Sequence, residues 1–334
     1  MFQASEIQSI VSACAGKIII TTHHKPDGDA LGSSLGLYHF LKSMGKDATI
    51  ISPTDFPNFL DWMPGRLDIL IFESDRARTT ELLKEAKIIF CLDFNSLSRI
   101  NDMGEIVEGS SAIKIMIDHH QEPENFANYQ YHTIDTSSTC ELVYDFIYQN
   151  KLTKHINKSA ATCLYVGIMT DTGGFKHNST SSHTHMVASA LMELGADHRQ
   201  INQMVSDQNS LMRLKLIGYA VSRKLVLYEN CKVALLTLDR VELAKHQVQT
   251  GDTEGLVNYG LSIAGVELSV LIVDRTEKVK MSFRSKNKFP CNIFAKENFE
   301  GGGHFHASGG QSTDTLENTT TKFLEKVKLY KEWL

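Results

Sequence analysis

The chain has 334 residues, enough for two ordinary domains of roughly 100–200 residues each. Its 42% hydrophobic and 22% charged residues are those of a soluble globular protein, and no run approaches the ~18 apolar residues that a membrane span needs. A net charge of −5 argues against a broad basic coat for long nucleic acid; a nucleic-acid ligand is expected to be short, with local cations or metal supplying the positive charge.

The N-terminus opens on a helical pattern. Ser5 and Gln8 have the spacing of a capping box, and Ile7, Ile10, Val11 and Cys14 form one apolar stripe. Lys17–Thr22 has the length and composition of a strand. Ala30–Met44 has a helical pattern that stops at Gly45, and Ala48–Ser52 is the next strand. Arg78–Glu85 is expected as a helix, with Lys87–Asp93 and Ile113–Asp118 as strands. Helices follow near Thr139–Gln149, Lys158–Met169 and Thr184–Leu194. Continuous apolar strands separated by helices predict an α/β domain, a parallel sheet with helices on both faces.

After about residue 207 the texture changes. Leu211–Arg223 is expected as a linker helix, followed by strands at Lys232–Leu238, Val266–Asp274 and Lys278–Arg284, the last two forming a hairpin. A glycine-dense loop at Gly301–Gly310 and a closing helix near Thr319–Trp333 complete a smaller C-terminal α/β domain. The expected division is 1–207, a linker over 208–230, and 231–334. Six cysteines (Cys14, Cys91, Cys140, Cys163, Cys231 and Cys291) are scattered without a CxxC pair, which fits reduced thiols and a cytoplasmic protein.

Four clusters of metal-capable side chains fall at element ends. His23, Asp27 and Asp29 follow the first strand, with Pro26 and Gly28 favouring a turn that lets them converge. Asp93 ends a strand, Asp118-His119-His120 ends another, and Asp171 ends a helical run before Gly173-Gly174. In an open parallel sheet, ligands bind outside the carboxyl ends of the strands. An Asp or Gly after a strand is an ordinary turn residue, but a DHH triplet buried there without partners would be costly. Several carboxylates with imidazole and no thiolate disfavour structural zinc and suit manganese. Five carboxylates are too many for one ion, so two divalent ions are expected, Mn2+ first, with Mg2+ or Co2+ as the other candidates. His177, His183 and His185 are expected in a loop and helix start, not as ligands.

Taken together, His23-x-x-Pro26-Asp27-Gly28-Asp29-Ala30, Asp93, Asp118-His119-His120 and Asp171-Thr172-Gly173-Gly174-Phe175 resemble the motifs of the DHH phosphoesterase superfamily. Ser282-Phe283-Arg284-Ser285 and Gly301-Gly302-Gly303-His304 resemble its C-terminal DHH-associated substrate-binding domain, so the likeness extends from about residue 17 to 310. In size and motif content the chain is most similar to the nanoRNase and pAp phosphatase branch. That resemblance implies hydrolysis of short oligoribonucleotides to mononucleotides and of pAp to AMP. It implies that His23, Asp27 and Asp93 hold one ion while Asp29, Asp93, His119 and Asp171 hold the other, with Asp93 bridging. Asp118 and His120 then act beside the ions. Glu300 stands where the family often has the first of four glycines.

The second domain has its own logic. Amides of Gly301, Gly302 and Gly303 can approach an anion, His304 can donate to it, and Arg284, beside Ser285, can bind it bidentately. Set across a cleft from the metals, such a clamp would act as a length ruler, favouring short substrates and no stable complex with long nucleic acid. The rivals are a single-strand exonuclease, disfavoured for want of a basic channel, and a dinucleotide phosphodiesterase. A pyrophosphatase or exopolyphosphatase would not need the glycine loop. A nucleotide-binding sensor without catalysis would not need every acidic ligand. No membrane partner is expected, and a homodimer stays open.

Overall fold

The computed structural model describes residues 4–207, 209–228, 232–249 and 251–334; Cys231 lies outside the described residues. The chain divides into two compact units, Met1–Gln208 and Asn209–Leu334. Among the described residues no helix is long and apolar enough to cross a membrane.

The first unit runs α1 (Ala4–Ala13), β1 (Ile18–Thr22), α2 (Gly28–Ser43), β2 (Ala48–Ser52), β3 (Ile69–Ile71), α3 (Arg76–Glu85) and β4 (Ile88–Leu92). It continues through α4 (Met103–Gly109), β5 (Ile113–Asp118), β6 (Tyr129–His132), α5 (Thr139–Gln149), α6 (Lys158–Asp171), α7 (Ser182–Glu193) and α8 (His198–Ser206). The six strands form one sheet in the order β3-β2-β1-β4-β5-β6, and every pairing is parallel. Alternation splits the apolar strands between two cores. Ile18, Ile20, Phe90 and Ile117 join the core under α1, α2, α5, α6, α7 and α8. Ile19, Ile89, Cys91 and Met116 join the core containing Leu83 of α3 and Met103 and Val107 of α4.

Chain order steps outward from β1 to β3, then returns to β4 on the other side of β1. The crevice between the carboxyl ends of β1 and β4 is therefore a topological switch point. Helices α2 and α6 close over this region at unusually short range. A Cβ on Gly32 would lie 2.6 Å from the Cys163 carbonyl oxygen, and one on Gly167 would lie 2.1 Å from Cys140 Sγ. Glycine is required at Gly32 because the facing α6 backbone is in contact, and at Gly167 because the Cys140 side chain at the start of the helix Thr139–Gln149 fills the space a Cβ would take.

The second unit runs α9 (Leu211–Tyr219), β7 (Leu225–Tyr228), β8 (Val233–Leu238), α10 (Arg240–Lys245), α11 (Leu256–Leu261), β9 (Leu268–Asp274) and β10 (Val279–Ser285). It ends with α12 (Cys291–Asn298), β11 (Gly302–His304), β12 (Ala307–Ser312) and α13 (Leu316–Val327). Its sheet has the order β11-β12-β10-β9-β8-β7, mixed because β8 and β9 are parallel while the other pairs are antiparallel. One face packs Phe283 against Phe294 and Phe299 of the α12 segment and Phe323 of α13; the other packs Leu236 and Leu271 against α9 and α11.

Some local expectations change. Ser5 lies inside α1, so the capping box expected there is not formed. The helix expected over 211–223 ends at Tyr219 and continues as a π-helical turn, Ala220–Lys224. The glycine-dense loop is a hairpin of β11 and β12. A Cβ on Gly301 would lie 2.2 Å from the Gly309 carbonyl oxygen, so close strand approach already requires a glycine there.

Candidate metal-centred active site

Each side chain of the first unit's site is delivered by the end of an element. His23 follows β1 directly. Asp27 is the N-cap of α2, its Oδ1 accepting from the Asp29 amide at 3.0 Å and the Ala30 amide at 3.1 Å, which places Asp29 on the first turn. Asp93 follows β4 with φ of 63°, a left-handed conformation uncommon outside glycine. Asp118 is the last residue of β5, His119 and His120 follow it, and Asp171 is the last residue of α6.

The structure brings all eight together. His23 Nε2 lies 3.5 Å from Asp93 Oδ2. His119 Nε2 lies 3.5 Å from Asp93 Oδ1, 3.6 Å from Asp171 Oδ2 and 3.9 Å from Asp29 Oδ2. These spacings are long for hydrogen bonds. Two ligand atoms each ~2.0–2.2 Å from a shared ion stand roughly 3–3.6 Å apart, which matches. Donor atoms of His23, Asp27 and Asp93 form one such group, and those of Asp29, His119 and Asp171 a second. The two oxygens of Asp93 face the two groups, Oδ2 toward His23 and Oδ1 toward His119.

Electrostatics points the same way. Asp29 and Asp93 are almost fully buried. Burial, with repulsion from Asp93, Asp171 and Asp27, raises the Asp29 carboxyl well above the usual carboxylate range. Burial also opposes ionisation of Asp93, but the polar contact with the His23 ring and the charges of His120, His23 and His119 overcome it and lower its pKa. Burial would lower His23 and His119, yet the surrounding carboxylates raise both. So many buried carboxylates in one place call for positive charge beyond these imidazoles, of the kind a metal cation would supply. His23 Nδ1 lies 2.9 Å from the His24 carbonyl oxygen and donates to it, leaving Nε2 as the nitrogen facing Asp93. The donor set therefore fits divalent cations.

Asp118 is fully buried and serves His120 twice. Its Oδ1 accepts from His120 Nδ1 at 2.8 Å and its Oδ2 from the His120 amide at 3.0 Å. His132, level with Asp118 on the edge strand β6, donates from Nε2 to the His120 carbonyl oxygen at 2.7 Å. Sequence reasoning missed His132, whose short polar strand carries no apolar signal. It also missed Thr139, whose one clue is its place in a Ser137-Ser138-Thr139 run opening an apolar helix.

His183 and His185 lie on the first turn of α7. His183 Nε2 pairs with Asp145 at 2.9 Å, and the His185 ring stacks on Phe175 with centroids 5.3 Å apart. In the second unit, Arg284 on β10 and His304 on β11 both stand level with Ala307 of β12. Arg284 donates to the Phe283 carbonyl oxygen at 2.9 Å. Ser285 is buried, its hydroxyl donating to the Phe289 carbonyl oxygen at 2.7 Å. Glu300 is exposed and accepts from Gln311 Nε2 at 3.1 Å.

Comparison with known proteins identifies the family and the fold. The DHH family, N-terminal domain, matches residues 17–168, and the DHHA1 domain matches residues 230–332. The bifunctional oligoribonuclease and PAP phosphatase NrnA of Thermus thermophilus is 31% identical over 325 residues, 96% of this chain and 92% of that protein. The crystal structure of an exopolyphosphatase-related protein from Bacteroides fragilis superimposes with a TM-score of 0.95 at 42% identity, covering 98% of this chain and 96% of that one. RecJ of Thermus thermophilus, solved in complex with Mn2+, shares the fold, with a TM-score of 0.57 at 13% identity over 99% of this chain and 54% of RecJ. The two matched domains together span most of the sequence, and the chain belongs to the DHH family, with a DHHA1 domain as its C-terminal part.

Proposed function

We propose that the chain is a divalent-metal-dependent phosphoesterase that hydrolyses short oligoribonucleotides to mononucleotides and pAp to AMP. The observation that carries this reading is the pair of donor groups sharing Asp93 at the switch point of the sheet. Similarity over nearly the whole length to an oligoribonuclease and PAP phosphatase supports the substrate class.

His23, Asp27 and Asp93 hold one ion, and Asp29, Asp93, His119 and Asp171 hold the other. Imidazole beside carboxylate favours Mn2+. When bound, such a pair lowers the pKa of water and neutralises charge developing on phosphoryl oxygens. The protein's own contribution is placement. The hydrogen bond from His120 Nδ1 to Asp118 fixes the ring, so that its Nε2–H would hydrogen-bond to a non-bridging phosphate oxygen as charge builds there. Arg284, His304 and the Gly301, Gly302 and Gly303 backbone bind the terminal nucleotide's phosphate, while Ser285 holds that end of β10 in place from beneath. The free thiols Cys14, Cys91, Cys140, Cys163 and Cys291 suit a reducing, cytoplasmic setting.

The test is Mn-supported hydrolysis of one panel: pAp, oligoribonucleotides of two to five residues, and a long single strand. Rapid turnover of the short members with the long strand left intact is expected. Preference for the long strand would replace this reading with an exonuclease, and turnover of none would leave a nucleotide-binding sensor.

A further inference from the structure

The first turn of α5 reaches into the candidate site without contributing a metal-ligand side chain. The Thr139 amide donates to Asp29 Oδ2 at 2.7 Å and the Cys140 amide donates to Asp29 Oδ1 at 2.9 Å, so the helix N-terminus grips both oxygens of one carboxylate. The Thr139 hydroxyl donates to Asp93 Oδ1 at 2.9 Å. Thr139 is completely buried, and Ser138 caps the helix by accepting from the Glu141 amide at 3.1 Å. One residue thus touches a carboxylate from each of the two donor groups, and it does so from a rigid element.

We infer that Thr139 is a positioning residue for the metal centre, its hydroxyl orienting the Asp93 carboxylate so that Oδ1 serves the Asp29, His119 and Asp171 side while Oδ2 serves the His23 and Asp27 side. The inference rests on the two-ion reading given above. Three features carry it. Asp93 lies just past β4 in a left-handed conformation, outside the regular strand geometry that sets side-chain direction within the sheet. His23 and His119 approach its two oxygens from different sides at 3.5 Å, so a rotation of the carboxylate would disturb both groups at once. Among the described residues, the Thr139 hydroxyl is the neutral donor within hydrogen-bonding distance of either oxygen, and it persists whatever the protonation of the imidazoles. Loss of a partner that orients a metal ligand typically costs about 10–100-fold in metal affinity.

Thr139→Val keeps the shape and both backbone amides but removes the donor, while Thr139→Ser keeps the donor and loses only a methyl group. Metal-free wild type and both variants are titrated with Mn2+ by calorimetry, with electron paramagnetic resonance reporting spin coupling between paired ions. Urea unfolding of the metal-free proteins runs alongside. In Thr139→Val, the affinity for one of the two ions is expected to fall on the order of 10–100-fold, with loss of the coupled signal. Thr139→Ser is expected to stay within about threefold of wild type, following the hydroxyl. If Thr139→Val does not fold, Thr139→Ala removes the same hydroxyl and carries the same expectation. Two ions bound to the Val or Ala variant with wild-type affinity and coupling would overturn the positioning role alone. Weakened binding in the Ser variant equal to that in Val would assign the effect to packing and overturn it too. A wild-type protein that takes up no Mn2+ would remove the two-ion reading itself, a result recognisable before any variant is compared.

Discussion

At the scale of single residues, the proposed metal centre depends on Asp93 more than on any other candidate ligand. It is buried, faces both donor groups and adopts a backbone conformation that its strand neighbours avoid. Asp93→Ala is expected to lose both ions and reduce pAp turnover to near background, whereas loss of a ligand belonging to one group should spare the other ion. Metal content after dialysis, measured by mass spectrometry, checks the first part, and full activity in the variant would refute a bridging role. The cluster of candidate ligands was legible in the sequence because His and Asp at the ends of apolar strands have few structural reasons to be there. The residues that hydrogen-bond to the cluster from behind were not. His132 and Thr139 act through hydrogen bonds to His120 and Asp93, and a hydroxyl or imidazole used that way has no sequence period to betray it.

The elements show a similar division. Strands β2 and β5 and helix α5 match their expected bounds, since an apolar run or stripe bounded by turn residues specifies them. β3, β6 and β7 were missed because they are short, lie toward sheet edges or mix polar residues with apolar ones. The packing of α2 on α6 was also overlooked, although Gly28, Gly32 and Gly36 recur every fourth residue and so share one helical face. That face lets Asp29 of α2 approach Asp171 of α6; a Cβ on Gly167 would itself come within 2.8 Å of Asp29 Oδ1. Two effects compete in Gly32→Ala. Helix propensity favours Ala by about 1 kcal/mol, but a Cβ 2.6 Å from the Cys163 carbonyl oxygen forces the backbones apart, and overpacking costs ~1–3 kcal/mol. The overlap should win, giving a lower urea midpoint and weaker Mn2+ binding. Gly218→Ala in α9 is the control: its Cβ would meet nothing within 4 Å, so propensity alone should act and the protein should be slightly more stable. Equal, stabilising effects at both positions would show that the close helix contact does not constrain the fold.

Over the whole molecule, the chain forms two units with separate cores, and the proposed function assigns chemistry to the first and recognition to the second. With a net charge of −5, the protein gains little from the long-range attraction that draws in extended polyanions. Affinity must then come from a few directed contacts, which a short substrate can satisfy completely and a long one cannot multiply. Arg284 and His304, brought level with each other by their shared register with Ala307, are the cationic and donor groups suited to that task. Each charge-assisted hydrogen bond to phosphate is worth about 1.5–3 kcal/mol, so Arg284→Ala and His304→Ala should each raise KM for pAp by roughly 10- to 150-fold. Neither residue belongs to the proposed ligand set, so both variants should retain two Mn2+ per chain and an unchanged urea midpoint for the first unit. Steady-state kinetics with pAp and with a five-residue oligoribonucleotide, beside metal analysis, separates the outcomes. A fall in kcat with KM unchanged would move these residues from substrate capture into the reacting centre. Loss of metal from either variant would show that the division of labour between the units is wrong.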